Sequence, residues 1–220
     1  MRAILAALLV FLGGLGCARI YRPVVLVAPV PATHGAGLSG AAVLQPWGNN
    51  ARYERKALKA HIRVIVLTLE NTFGGELDIL RLEWPDATSP LTSEAAATAI
   101  KQHSLAYLFY PLVPGLLSLS SGEHGGYGPS DKMVFGGLAV VGLCIGAPNA
   151  IIAARSNHRL GAFFADQAWR PGPLRPGQVR RGLLFVRSRD PLEPLPIQVV
   201  YTLPDGEQRL TLLCPGVRPL

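Results

Sequence analysis

The longest uncharged, mostly apolar stretch of the chain runs from Val134 to Ala154. Its length is close to the ~20 residues that a helix needs to cross the core of a bilayer. A second apolar run, from Leu105 to Leu119, contains two prolines and is too short to cross alone. Because the polar, Gly-rich segment 120–131 separates the two runs, the pattern predicts an apolar helical hairpin with a hydrated tip.

Three locations are open for this hairpin: in or on a membrane, packed on the sheet of its own domain, or buried against a partner protein. Gly142 and Gly146 have the small-xxx-small spacing that allows close helix contact. The residues predicted to contact a membrane or a partner are Leu138, Val141, Gly142, Leu143, Gly146, Ile151 and Ile152.

The dipeptide Pro148-Asn149 is predicted to interrupt the long run, with Asn149 capping a new helix from about Ala150 to Trp169. Its later part places several apolar side chains on one face: Leu160, Phe163, Phe164 and Ala168.

Upstream, Pro23–Pro31 is predicted to be an edge strand or an extended tether, and residues 32–49 a loop. Asn50 is predicted to cap a short basic helix, and Ser93 a further helix. The basic helix would turn three residues to one face: Tyr53, Ala57 and Ala60.

Two early segments predict strands that flank a turn at residues 71–75. In His61–Glu70 both alternating faces are mostly apolar, which indicates a strand covered on both sides. In Glu76–Trp84 the inward side chains are predicted to be Leu80, Leu82 and Trp84, although Leu77 and Ile79 break the alternation at the start of the strand.

The last third of the chain predicts a loop over residues 171–178 and strands over residues 179–187, 196–203 and 208–214. Asp205-Gly206 lies between the last two strands, and this dipeptide is a strong signal for a β-hairpin.

Composition supports a folded chain with a membrane connection. Its 220 residues are 49% apolar, but only 16% are charged, against a usual ~25%. The net charge is +7, with basic residues concentrated at Arg52, Arg55, Lys56, Lys59 and Arg63. Because no aromatic residues alternate with this cluster as in single-strand binding platforms, we expect a solvated basic face and no nucleic-acid partner.

The first 16 residues have the short positive start and apolar centre of a secretory signal peptide. The segment ending Leu15-Gly16-Cys17 resembles the lipobox of bacterial lipoproteins, with Gly14 where that family prefers leucine. The resemblance implies cleavage before Cys17 and diacylation of its sulfur. Ala18 at the next position implies an envelope protein lipid-anchored in the outer membrane and facing the periplasm.

A second resemblance rests on LENTFGG, on LRPGQVRRGLLFV and on the closing hairpin. These segments resemble the Ig-like β-sandwich domains of bacterial surface lipoproteins, and the matching positions are Asn71, Pro176, Gly177, Gly182 and Phe185. The resemblance implies a mainly β fold, an Ig-like sandwich interrupted by the apolar, Gly-rich helical hairpin, with a binding or scaffolding role.

The predicted organisation has five parts: a signal peptide (1–16), a tether with an edge strand and the basic helix (17–60), early strands (61–89), the helical insertion (90–169) and late strands (170–220).

No catalytic, cofactor or metal motif is present in the sequence. Glu123, His124 and Asp131 are predicted to lie in a solvated loop. Cys144 and Cys214 are predicted to be separate buried thiols. The alternative is a disulfide between them, which an oxidising envelope would permit.

The sequence therefore predicts a non-enzymatic envelope lipoprotein, a structural or binding subunit whose partners are the bilayer, through Cys17 and residues 134–154, and an envelope protein. Two alternatives stay open. One is an integral component of an envelope or transport assembly through the 105–154 hairpin, and the other is an envelope hydrolase with a site in the 120–131 loop.

Overall fold

The computed structural model describes residues 18–27, 33–86, 88–109, 129–190 and 192–216, without the side chains of residues 108, 109 and 129–145. The described residues belong to two compact units. The first comprises residues up to Tyr21 and Gln102–His158, and the second comprises Arg22–Lys101 and the chain from Arg159 onward.

All described strands belong to the second unit: β1 (Thr33–His34), β2 (Leu38–Leu44), β3 (Ile62–Asn71), β4 (Leu77–Glu83), β5 (Thr88–Leu91), β6 (Gly172–Leu174), β7 (Val179–Ser188), β8 (Leu195–Leu203) and β9 (Gly206–Cys214). The described helices are α1 (Ala51–Lys59), α2 (Ser93–Ile100), α3 (Ser104–Phe109) and α4 (Pro129–Gln167).

The strands form two antiparallel sheets, which confirms that the fold is mainly β. The five-stranded sheet has the order β1-β2-β3-β7-β5, and the four-stranded sheet has the order β6-β4-β8-β9. The predicted hairpin is confirmed, since Leu203 pairs with Gly206 and the register continues without a break to Leu195 and Cys214.

The core lies between the two sheets. Ile65, Leu67 and Leu69 of β3 face alternating residues of the four-stranded sheet such as Ile197 and Leu212. Val64 and Val66 point to the other side of β3 and are also buried. The prediction that this strand is covered on both faces is therefore confirmed.

Helices cover the outer face of the five-stranded sheet. Tyr53 and Ala57 of α1 are buried, as the predicted face requires, and α1 contacts β3. In α4, Leu160 and Phe164 are buried, and the ring of Phe164 lies 4.5 Å from that of Phe185 on β7. The end of α4 therefore belongs to the packing of the second unit. We call this unit, Arg22–Lys101 and the chain from Arg159 onward, the β-body.

The loop predicted for residues 32–49 is wrong, because β1 and β2 lie within it. The small residues that suggested a loop serve close packing. A Cβ atom on Gly40 would approach Leu69 Cδ2 to 2.7 Å and Leu212 Cδ1 to 3.2 Å. Upstream, residues 23–27 have no regular structure, so no edge strand forms there.

The inward orientation predicted for Leu80 is wrong. The register between β4 and β8 shifts between Ile79 and Arg81, where Leu80 is 40% exposed. This β-bulge lets Leu77 and Ile79 face the core before it and Leu82 after it. The irregular alternation in the sequence is thus the trace of a bulge.

The helix break predicted at Pro148-Asn149 is also wrong, because α4 continues through Pro148 from Pro129 to Gln167. The Asn149 side chain caps no new helix and instead accepts a hydrogen bond from the backbone N–H of Ala18 at 3.0 Å. A proline costs a helix one backbone bond without ending it wherever the rest of the helix is held.

Four smaller expectations change. β6 forms within the predicted 171–178 loop and pairs with β4, while β5 was not predicted and pairs with β7. Thr92, one residue before Ser93, caps α2 by accepting the N–H of Ala95 at 3.1 Å. Asn50 precedes α1 without a side-chain cap.

Candidate functional site

The described part of the predicted contact set lies near the middle of α4. Gly146 is buried, Ile152 is half-buried and Ile151 is 52% exposed. The side chains of Leu138, Val141, Gly142 and Leu143 lie outside the described residues, as does Cys17. Among the side chains that are described, no helix has both the length and the apolar character to cross a membrane.

Polar side chains hold the first described residues within the first unit. Besides the bond from Ala18 to Asn149, the carbonyl of Arg19 accepts hydrogen bonds from Ser156 Oγ at 3.0 Å and from Gln102 Nε2 at 2.7 Å. Ser156 and Gln102 are both buried. The chain that follows Cys17 is therefore fixed from its first residue onward.

A reciprocal pair of hydrogen bonds joins Gln102 to Asn157 of α4 within the first unit. The Gln102 N–H donates to Asn157 Oδ1 at 2.8 Å, and Asn157 Nδ2 donates to the Gln102 carbonyl at 2.7 Å. The amide of Asn157 satisfies both main-chain groups of Gln102, which removes the cost of burying them unpaired.

Three residues of the Ig-like resemblance, Asn71, Pro176 and Gly177, come together at one end of the β-body. Buried Asn71 donates through Nδ2 to the carbonyls of Gly75 and Leu174, both at 2.8 Å. Its main chain bonds to the Pro176-Gly177 turn, where Gly177 has φ of +71°. Asn71 thereby links the end of β3 to β6 in the opposite sheet.

Gly182 and Phe185 of the resemblance have packing roles on β7. A Cβ atom on Gly182 would lie 2.8 Å from the Cα atom of Trp169, so only glycine lets the chain cross there. The backbone N–H of Trp169 donates to the carbonyl of Leu183 at 2.8 Å, which extends the sheet beyond the end of β5.

An apolar groove of about 310 Å³ opens between this crossing and the end of β5. Its apolar lining includes Leu82, Trp84, Trp169 and Leu183–Phe185. The remaining lining residues are Arg81, Pro90, Leu91, Thr92, Ser93, Ala168 and Pro171. We call this recess the tryptophan groove.

One lining residue of the tryptophan groove carries a buried donor. The indole Nε1 of Trp169 is buried and has no hydrogen-bond partner among the described residues. The guanidinium carbon of Arg180 lies 5.8 Å from the centre of the same ring, within the range of a cation–π contact. Arg81 is the one ionisable side chain in the lining, so the groove lacks an acid–base pair.

A wider and more polar hollow of about 630 Å³ lies at the turns around Pro176 and Gly177. Its lining also includes Glu76, Arg175 and Gln178, which all face solvent or lie near it. It is a surface depression between turns, so we consider the tryptophan groove the better candidate site.

Arg63 does not belong to the basic surface that the sequence predicted. It is 2% exposed and points to the end of the core between the sheets, where its Nη2 donates to Ser188 Oγ and to the carbonyl of Asp190. Its Nε and Nη1 have no partner among the described residues, and burial lowers its pKa.

Cys214 lies near Arg63 and carries a free, buried thiol. Burial raises the pKa of Cys214 to about 12, although the positive charge of Arg63 acts in the opposite direction. A thiol with so high a pKa is neutral at physiological pH and is a poor nucleophile.

No group of three or more histidine, cysteine, aspartate or glutamate side chains within metal-binding distance occurs in the described part of the chain. Glu123 and His124 of the predicted solvated loop, and the side chain of Asp131, lie outside it.

The sequence did not single out Trp169, and it assigned Trp84 only to the core. The available signal was residue type, since Trp84 and Trp169 are two of the three tryptophans in the chain. Comparison with known proteins finds no matching family model, curated protein or solved structure.

Proposed function

We propose that the protein is a non-enzymatic bacterial envelope lipoprotein, anchored through Cys17, whose Ig-like body binds an apolar segment of a partner protein. The observation that carries the binding role is the tryptophan groove, a recess with two indole rings and apolar walls. Tryptophan is enriched at protein interfaces because it buries a large apolar area and still offers a donor.

The Ig-like assignment is supported by strand order. In constant-type Ig domains one sheet has the order ABED and the other contains C, F and G. The order β2-β3-β7-β5 corresponds to ABED, and β4-β8-β9 corresponds to CFG. β1 and β6 are additional edge strands, and the helical insertion lies between β5 and β6.

We do not favour addition of a partner strand to β5, because Pro90 lacks the N–H that such pairing requires.

The groove is tested by photo-crosslinking in cells. A photoreactive residue at Pro171, an exposed position of the lining, is expected to capture an envelope protein. The matched control is the same residue at Thr211, exposed on β9 away from the groove. Equal capture from both positions would contradict a binding site in the groove.

The anchor is tested by mass spectrometry of the mature N-terminus and by fractionation of Cys17→Ser exported on a cleavable signal. We expect acyl groups on Cys17 and release of the variant from membranes. A companion deletion of Leu105–Ala154 should abolish membrane or partner association while sparing the β-body, because Leu160 and Phe164 remain.

A second candidate is an integral component of an envelope or transport assembly. The observation that favours it is the continuity of α4, whose 39 residues extend over about 58 Å at 1.5 Å per residue. If Cys17→Ser stays in alkaline-washed membranes, residues 134–154 are embedded and this candidate replaces the first.

A further inference from the structure

Four basic residues of α1 lie in one stripe along the helix. Arg52, Arg55, Lys56 and Lys59 have the spacing i, i+3, i+4, i+7, so at 3.6 residues per turn they fall within about 100° of arc. Arg55 and Lys59 are exposed, and Arg52 and Lys56 are half-buried. We call these four residues the basic stripe.

Packing fixes the direction in which the basic stripe points. Tyr53 and Ala57, both buried, lie on the neighbouring arc of α1 and hold that side against β3. Glu54, the one acidic residue of the helix, lies on the far side of α1 from the stripe. The stripe therefore presents positive charge outward with no acid within it.

The contacts of Arg55 and Lys56 leave the charges of these two side chains in place. Arg55 Nε donates to the carbonyl of Ala51 at 3.4 Å, and Lys56 Nζ donates to the carbonyl of Lys101. Both acceptors are uncharged. Partial burial lowers the pKa of Lys56, and the neighbouring positive charge of Arg52 lowers it further.

The chain leading from Cys17 is attached at the start of the same helix. Asn50, buried and directly before α1, accepts the N–H of Arg22 at 3.0 Å and donates to its carbonyl at 2.8 Å. Five residue steps separate Cys17 from Arg22, so even a fully extended chain spans at most ~17 Å between them.

We propose that the basic stripe is the surface with which the anchored protein lies on anionic phospholipid headgroups. The proposal rests on the lipid anchor proposed above, because the short link from Cys17 keeps the start of α1 near the bilayer. Electrostatic attraction to anionic lipid extends only about a Debye length, ~10 Å, so it acts only when the stripe lies against the bilayer surface, which the short link from Cys17 allows.

Vesicle flotation tests the proposal with the mature chain from residue 17 carrying Cys17→Ser, so that no acyl chain contributes. The probes are vesicles of phosphatidylcholine alone and vesicles with ~30% phosphatidylglycerol. We expect preferential binding to the anionic vesicles, weakening as salt is added. A contribution from residues 134–154 would appear on both kinds of vesicle and cancels in the ratio.

Two charge-matched variants locate the binding surface. The stripe variant is Arg52→Gln, Arg55→Gln and Lys59→Gln, and the control is Arg170→Gln, Arg175→Gln and Arg181→Gln, three exposed arginines outside α1. Each basic residue near an anionic surface changes binding about five-fold, so the stripe variant should lose about 100-fold. The control should lose less than about three-fold.

Equal losses in the two variants, or no preference for anionic vesicles, would overturn the proposal. So would equally strong, stripe-dependent binding to a DNA oligonucleotide, which would assign the stripe to nucleic acid. Thermal unfolding must match wild type in both variants, and hydrogen exchange of α1 should slow only with anionic vesicles. An unmodified Cys17 would refute the anchor without affecting these measurements.

Discussion

The two sheets of the β-body differ in how their outer faces meet the surroundings. In the five-stranded sheet, β3 is buried on both faces, and residues of α1, α2 and α4 form the cover. In the four-stranded sheet, the outer face of β9 alternates into exposed Glu207, Arg209 and Thr211. The five-stranded sheet is thus covered on both faces along β3, whereas along β9 the four-stranded sheet is covered only on the face towards the core.

The difference shows that the helical insertion is only partly separate from the β-body. Its last turns, from Arg159, belong to the second unit and supply Leu160 and Phe164 as cover for β7. The outer face of the four-stranded sheet instead carries ion pairs, with Arg81 bonded to Glu83 at 2.9 Å and to Glu207 at 3.1 Å.

The largest effect is expected where the helical cover meets the five-stranded sheet. Phe164→Ala should lower the free energy of unfolding by about 3–5 kcal/mol, because it leaves a cavity against Phe185. Urea unfolding followed by circular dichroism measures the loss. Phe163→Ala, at a half-buried neighbouring ring, should cost clearly less. Equal losses would contradict a larger contribution from the packing of Phe164 on Phe185.

The polar link between the sheets is tested at Asn71. Asn71→Ala should cost about 2–3 kcal/mol, because it leaves the carbonyls of Gly75 and Leu174 without the donor that Asn71 supplies. The same urea experiment applies. Gln198→Ala on β8, half-buried, provides the control, and a loss at Asn71 no larger than there would refute the link.

The burial of the Cys214 thiol at the end of β9 is tested by the pH dependence of the free energy of unfolding. Burial raises the pKa of Cys214 from an ordinary 9.0 to about 12, so above pH 9 the thiol ionises in the unfolded chain first. Its contribution to stability is therefore complete below pH 9 and is lost as the pH rises towards 12.

The measurement is the free energy of unfolding against pH for wild type and Cys214→Ala. The variant should lack part of the alkaline decline. Burial also raises the pKa of Tyr201, so Tyr201→Phe serves to separate the two contributions. Identical pH profiles for wild type and Cys214→Ala would indicate that water reaches the thiol.

The smallest effect is expected on the exposed face of the four-stranded sheet. A double-mutant cycle of Arg81→Gln and Glu207→Gln should give a weak coupling that fades with added salt, because solvent and ions screen exposed pairs. Denaturation at low and high salt measures it. A salt-independent loss as large as that of Asn71→Ala would contradict the contrast between the two faces.

Much of the fold could be predicted from local pattern. The continuous apolar run of β3 predicts two covered faces, and Asp205-Gly206 predicts the final hairpin. The face of α1 was predicted from the spacing of Tyr53 and Ala57, both of which are buried. Of the candidate site, the inward positions of Leu82 and Trp84 were anticipated, but the groove itself was not, because it combines residues far apart in sequence.

The errors have a common cause in distant contacts. Gly40 lies in a strand, and a glycine fits this position because Leu69 and Leu212 leave no room for a side chain. A bulge at Leu80 resets the faces of β4 against β8. Pro148 lies inside a helix although its residue type favours a helix end.

The sequence by itself determined the alternation, the turns and the apolar runs, because these depend on neighbours a few residues away. Only the tertiary structure decided which sheet is covered twice, that Arg63 is buried and that Trp84 and Trp169 share a groove. These features depend on side chains brought together from opposite ends of the chain, and pairing over such distances leaves no local pattern.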